Sequence, residues 1–314
     1  MKVDDAARSV ARLGGLATTA QLRAAGVHPD AIGRAVLLRS TLVRPRRGIL
    51  ALPSTPPALL RAVRAGGALA ATSAAEFRGL WTPSEARLHV SVRRDAPVSG
   101  NAGIVLHRDA HHLTPGERFL VSRQTCVRQC TRMLPFPEAV AVLDSALHQD
   151  ALGDLGALGA LGAASPIDLD LLRRQLPRRL HPVVDAADGR AESGAESIAR
   201  TRLALLGVVA VPQQWVTRGV RADLLVDDLV IEIGSREFHA DPEQYERDHG
   251  RAALIIGLGF DYLEFTTLQV MSDWPTVEGV IRARMDARAG SRQHFAATRR
   301  PRDTNPRVSR RNAG

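Results

Sequence analysis

With 314 residues, an apolar fraction of 45% and only two cysteines, the chain has room for two or three globular domains and lacks the cysteines for a disulfide framework. No apolar run approaches the roughly 20 residues that span a bilayer. The start of the chain carries Asp4 and Asp5 and no uninterrupted apolar core, which argues against a secretory signal; the chain reads as cytoplasmic, with no membrane partner. The net charge of +9 is uneven: +6 over residues 1–52, +2 over 53–189, −6 over 190–287 and +7 over 288–314. Positive charge at the two ends marks those ends as the surfaces that would meet phosphate.

The fold expected is α/β and multi-domain. Residues 3–13 read as an amphipathic helix stopped by Gly14-Gly15. Thr18 or Thr19 caps a second helix, Ala20 to Ala25, and His28-Pro29-Asp30 opens a third, to about Leu38. Two short strands follow, Leu42–Arg44 and Gly48–Leu52. Three helices and a hairpin over residues 1–52 make a winged helix-turn-helix, with Arg34 and Arg39 on its third helix and Arg44, Arg46 and Arg47 in the wing as DNA contacts.

A mixed α/β middle domain is expected over 58–150, with helices near 58–65, 73–79 and 137–149 and strands near 88–92 and 103–107. His107, His111 and His112 read there as strand and loop surface residues. Cys126 and Cys130, four apart, suit one face of a helix as buried thiols. Residues 151–192 form a connector: a Gly/Ala/Leu stretch, one short helix at 167–176 and a loop from His181 to Arg190. A C-terminal α/β domain spans 193–287, with a helix at 195–206, strands at 208–217, 221–226, 229–233 and 260–266, and helices at 242–256 and 276–284. The Arg-, Ser- and Pro-rich tail, 288–314, is expected to be disordered.

The chemistry concentrates in Ala222-Asp223-Leu224-Leu225-Val226-Asp227-Asp228-Leu229-Val230-Ile231-Glu232. If Asp227-Asp228 is a two-residue hairpin loop, Asp223 falls opposite Glu232 on one sheet face. Like charges there destabilise unless something compensates, and two carboxylates are a hard-oxygen site suited to Mg²⁺. The alternative is a solvent-exposed carboxylate, or one paired with Arg221 or Arg236. His239 is a candidate general acid/base or a loop residue. Glu196 either faces that site or completes a capping box with Ser193. Asp248 and Arg251, three apart on a helix, are either a surface ion pair or support for the site.

Residues Leu13 to Leu52 resemble the winged helix of abortive-infection type IV antitoxins. Residues 193–284 resemble the very-short-patch-repair-like endonuclease domain of the PD-(D/E)xK superfamily, whose pattern is matched by Glu196, Asp223, Glu232, His239, Asp248 and Arg251. This restriction-endonuclease-like resemblance implies catalytic Asp223, Glu232, His239 and Glu196, Mg²⁺ on Asp223 and Glu232, Asp248 and Arg251 in support, and DNA as the partner. Two departures stand out. Glu232-Ile233-Gly234-Ser235 replaces the related Glu-x-Asp-Gly, and Gly234 sits where the superfamily often has Lys. Two functions follow as expectations: a metal-dependent DNA endonuclease, or a non-enzymatic antitoxin-like transcriptional regulator whose nuclease fold serves as a binding platform for a cognate toxin or a second copy.

Overall fold

The computed structural model describes residues 3–37, 41–96, 103–108, 118–153, 165–234 and 242–298, with backbone alone for 3–4, 242–249 and 289–298. The chain is a mixed α/β protein with three sheets interleaved with helices. It divides into two compact units, Met1–Val226 and Asp227–Gly314. Among the described residues no helix is long and apolar enough to cross a membrane.

The first unit opens with α1 (Val3–Arg12), β1 (Leu16–Thr18), α2 (Thr19–Ala24), α3 (Pro29–Leu37), β2 (Val43–Arg46) and β3 (Ile49–Ala51). Gly14 and Gly15, both in the left-handed region, turn the chain from α1 into β1. A full capping box then starts α2: Thr18 accepts the Gln21 amide and donates its own amide to the Gln21 side chain at 2.9 Å. Strand β1 was not expected. Its three residues are all buried, too short a run to show a period, and it pairs antiparallel with β3 so that the sheet order is β1-β3-β2. Val10, Leu22, Ile32, Leu42 and Leu50 fill the core between this sheet and the helices.

The middle of the unit carries α4 (Pro57–Ala65), β4 (Ala68–Leu69), α5 (Ala71–Phe77), β5 (Leu88–Ser91), β6 (Ile104–His107), α6 (Arg123–Met133), α7 (Phe136–Leu152), α8 (Leu169–Gln175) and α9 (His181–Asp185). Strands β4 and β5 run antiparallel and β5 and β6 parallel. The core is continuous with the β1-β3-β2 sheet: Leu16 and Ala51 lie in the same buried cluster as Leu59, Val63, Val90 and Leu143. The segment His181–Arg190, expected as a loop, starts with α9, because Val183 and Val184 bury against that cluster. Cys126 and Cys130 are buried free thiols on α6, as their spacing predicts. His107 departs from its surface reading, since it is half-buried and its Nε2 lies 2.9 Å from Nδ1 of the fully buried His89. His111 and His112 lie outside the described residues.

The unit ends with α10 (Gly194–Leu205), β7 (Val211–Thr217) and β8 (Val220–Val226). Helix α10 packs along α7. Asp144 of α7, fully buried, accepts from Nη2 of Arg200 at 2.8 Å and from the Asp188 amide at 2.6 Å. At the start of α10, Gly194 lies under the Trp81 indole so closely that a Cβ would stand 2.3 Å from the ring.

The second unit holds β9 (Leu229–Gly234), α11 (Pro242–Gly257), β10 (Asp261–Thr266), α12 (Thr267–Ser272) and α13 (Trp274–Thr298). Strands β9 and β10 are parallel, Leu229 opposite Asp261 through Gly234 opposite Thr266. Helix α13 was expected to stop near Arg284, with the chain disordered from 288. It continues to Thr298. Arg284 and Arg288 both reach Asp261, at 2.7 and 2.6 Å, and Arg288 also meets Asp228 at 3.3 Å. These pairs hold the helix on the strand beyond the last apolar period. The rest of the basic tail, 299–314, lies outside the described residues.

Candidate functional site

Two clusters gather most of the acidic residues singled out by sequence, one in each unit. In the first, the alternation of β8 buries Val220, Ala222, Leu224 and Val226 and turns Asp223 to the opposite face. Strand β7 pairs with it so that Pro212 faces Leu224 and Gln214 faces Ala222, which puts Gln213 opposite Asp223. The Gln213 backbone is left-handed, at φ 54, a conformation rare for a residue other than glycine and found where side chains are aimed for function. Its amide nitrogen donates to Oε2 of Glu196 at 2.8 Å and lies 3.5 Å from Oδ1 of Asp223. One amide thus links two carboxylates carried by a helix and a strand.

Glu196 combines helix-start contacts with a place in this cluster. Ser193 Oγ accepts the Glu196 amide, the first half of the predicted capping box. The Glu196 carboxylate reaches back to the Glu192 amide at 3.0 Å, one residue before the usual target, and also accepts from Gln213. Only 5% exposed, it is pushed above the ordinary carboxyl range by burial first and by the charge of Asp223 second, against the bonds from Gln213 and Glu192. An acid whose folded-state pKa is raised takes up its proton more readily folded than unfolded. Its stabilising contribution is full below the unfolded pKa and is lost as pH rises through the folded value. Glu196→Gln should therefore gain stability relative to wild type as pH is raised from about 4 to about 8. Parallel urea titrations of the two proteins across that range measure the trend, and a difference independent of pH would refute the raised carboxyl.

The same face of β7 and β8 carries Trp215, 60% exposed, with the Arg221 guanidinium 5.8 Å from its ring centre. Arg221 is also paired with Glu192 at 2.6 Å.

In the second unit Glu232 lies on β9, and Arg251 of α11 holds it: Nη2 stands 2.9 Å from Oε1 and 3.2 Å from Oε2. Parallel pairing sets Glu264 of β10 opposite Glu232, and the Tyr262 hydroxyl lies 3.4 Å from the Glu264 carboxylate. Burial, and then the charges of Glu264 and Glu232, push the Tyr262 phenol upward. Asp248 and Arg251 were expected as a surface ion pair or as support for the site; Arg251 engages Glu232, while the Asp248 side chain and His239 lie outside the described residues. Strand β8 ends at Val226 and β9 begins at Leu229, with Asp227 at φ 51, so the two-residue connection expected from sequence is present in the backbone. Among the described residues no group of three or more His, Cys, Asp or Glu is arranged to hold a metal ion.

Gln213, Tyr262 and Glu264 were missed by sequence reasoning. The register opposite Asp223 would have found Gln213. The x-Tyr-x-Glu alternation within Asp261–Thr266 marks Tyr262 and Glu264 as one face, but their meeting with Glu232 depends on a parallel pairing across α11 that no local pattern reveals.

In the N-terminal part of the first unit, Arg34 on α3 and Arg44, Arg46 and Arg47 on and after β2 are exposed. Arg39 lies outside the described residues. Arg46 lies across the end of α4, its Nη1 3.4 Å from the Arg64 carbonyl, where a guanidinium complements the helix dipole. Gly66 leaves the room for it: its φ is 91, and a Cβ there would fall 2.0 Å from Arg46 Nη1.

No known family model and no curated protein matches this chain.

Proposed function

We propose that this chain is a DNA-binding protein whose C-terminal part is a metal-dependent endonuclease domain of the very-short-patch-repair-like type. The observation that carries the reading is the Glu196–Gln213–Asp223 cluster, in which a strained strand glutamine joins a buried helix glutamate to a strand aspartate. A protein that needed only a helix cap and a surface strand has no reason to aim an uncharged amide at both acids. The N-terminal winged helix supplies DNA contacts through Arg34, Arg39, Arg44, Arg46 and Arg47.

In this reading Asp223 and Glu232 are the residues that would offer oxygens to Mg²⁺. Their oxygens would suit a hard cation, and Arg251 is the group that now holds Glu232. A cation bound there would supply charge neutralisation at the phosphate and a water of lowered pKa. The Asp223 carboxylate is oriented by Gln213, while Glu196, raised in pKa and buried behind it, fixes Gln213 in turn. His239 is the group assigned to proton transfer. The net step adds water across one phosphodiester bond: an O–P bond forms, the ester O–P bond breaks, and the departing alkoxide takes a proton.

A second reading, a non-enzymatic antitoxin-like regulator with a cognate toxin or a second copy as partner, is favoured by one observation. Arg251 contacts both oxygens of Glu232, and the residue two further on is Gly234 rather than a lysine. Incubating the full chain with supercoiled plasmid in Mg²⁺, in Mn²⁺ and in EDTA separates the two. Relaxation or linearisation in the divalent ions alone supports the nuclease. Retained DNA binding with no cleavage in either ion selects the regulator.

A further inference from the structure

The basic surface of the first unit does not end with the winged helix. Between Asp30 and Glu76 the chain has seven arginines and no acidic residue: Arg34, Arg39, Arg44, Arg46, Arg47, Arg61 and Arg64. The last two belong to α4, outside the module that the resemblance covers. Helix α4 buries Leu59, Ala62, Val63 and Ala65 and exposes Arg61 and Arg64, which sit three apart and so share one face. The wing strand β2 packs against this helix, and Arg46 spans the junction with its guanidinium over the α4 C-terminus. Along β2, Arg44 and Arg46 alternate outward between half-buried Val43 and Pro45. The wing arginines and the α4 arginines are therefore carried by elements locked to each other through a shared core, with no carboxylate of that segment among them.

We propose that the duplex-DNA contact surface continues from the wing onto α4, where Arg61 and Arg64 neutralise backbone phosphates beside the segment gripped by the winged helix. This rests on the DNA-binding reading of residues 1–52 and adds a second, sequence-independent set of interactions to it. Arginine–phosphate pairs of this kind position a protein on the duplex without reading bases, and each one formed releases counterions, so they are counted by salt dependence. A solvated helix face that merely happens to be basic releases none.

The test is the slope of log K against log[salt] for the full chain on a linear duplex, compared across variants. Each phosphate that is no longer neutralised lowers the magnitude of that slope by about 0.9. Arg61→Ala with Arg64→Ala should lower it by about 2 and weaken binding equally on unrelated sequences, and Arg61→Lys with Arg64→Lys should restore most of it. Arg179→Ala, an exposed arginine outside this segment, should leave the slope unchanged. If Arg34→Ala with Arg44→Ala weakens binding but the α4 pair leaves slope and affinity at wild-type values, the extended surface is refuted and the winged-helix reading survives. If the Arg34 and Arg44 substitutions are also silent, or wild type does not bind, both fall. Arg61 and Arg64 are exposed, and matching circular dichroism melts confirm that any weakening is one of binding.

Discussion

Replacing Asp144 by alanine should destabilise the first unit by about 3–5 kcal/mol, the loss typical of breaking a buried ion pair from one side. Asp144 is fully buried, and its partner Arg200 keeps only 11% of its side chain exposed. The carboxylate satisfies two donors from different segments, Nη2 of Arg200 and the amide of Asp188. Alanine strands a guanidinium and a backbone N–H in a site with little water, and the Ala186 carbonyl, which Arg200 keeps, carries no charge to replace the carboxylate. Burial already pushes the Asp144 carboxyl up, opposed by Arg200, so desolvation consumes part of what the pair returns. The double substitution Asp144→Ala with Arg200→Ala should therefore be less destabilising than the two single losses added together. By contrast Arg190→Ala, which breaks an exposed pair with Asp188, should cost about 0–1 kcal/mol. Native-state hydrogen exchange of the α7 and α10 amides measures all four variants. A loss below about 1 kcal/mol for Asp144→Ala would show that the junction is held by apolar packing alone.

That junction illustrates where sequence reasoning succeeds and where it stops. Local signals were legible: the Gly14-Gly15 stop after α1, Thr18 as a cap of α2, and the two residues between β8 and β9. Each depends on residues only a few positions apart. Helix α6 was legible only through its two cysteines, because its buried face also carries Arg123, Arg128, Gln129 and Thr131, which blur the apolar period. Arg123 is tolerated inside because Asp150 and the Ala146 carbonyl meet it at 2.6 and 2.9 Å, partners that no window around Arg123 contains. The extension of α13 has the same origin: Arg288 looks like a tail residue until Asp261 and Asp228 are brought to it. In the candidate site, Asp223, Glu232, Glu196 and Arg251 could be chosen by residue type and spacing. Gln213 could not, since an amide becomes informative only when register places it between two acids. Of the two readings of Asp248 and Arg251, sequence could not choose, because helix spacing is visible there and the tertiary approach of α11 to β9, which brings Arg251 to Glu232, is not.

If the chain is the proposed nuclease, Asp223→Asn and Glu232→Gln should each reduce Mg²⁺-dependent DNA cleavage by on the order of 10²-fold or more, the scale on which loss of one group stabilising developing charge is felt. Each substitution keeps shape and removes one negative charge, and each interrogates its own unit. Asp223→Asn can still accept from Gln213, so its fold should persist while its affinity for a cation falls. Glu232→Gln loses the charge that holds Arg251, and its melting point should drop modestly, because the pair is partly exposed at 15% and 33% and partly screened. Arg251→Gln then divides the two functional readings. In the nuclease, the guanidinium competes with the cation for Glu232, so its removal should tighten Mn²⁺ binding about tenfold, the scale of one charge-assisted hydrogen bond. Cleavage need not rise with it, since an arginine released from Glu232 is also a phosphate ligand. In the regulator, the pair is only a tie between α11 and β9, and Arg251→Gln should lower stability without creating any divalent-ion binding. Titrating Mn²⁺ by its electron paramagnetic resonance signal, alongside plasmid cleavage, reads both quantities on the same samples. Cleavage surviving undiminished in Asp223→Asn and in Glu232→Gln would place the chemistry elsewhere in the protein, whatever Arg251 does.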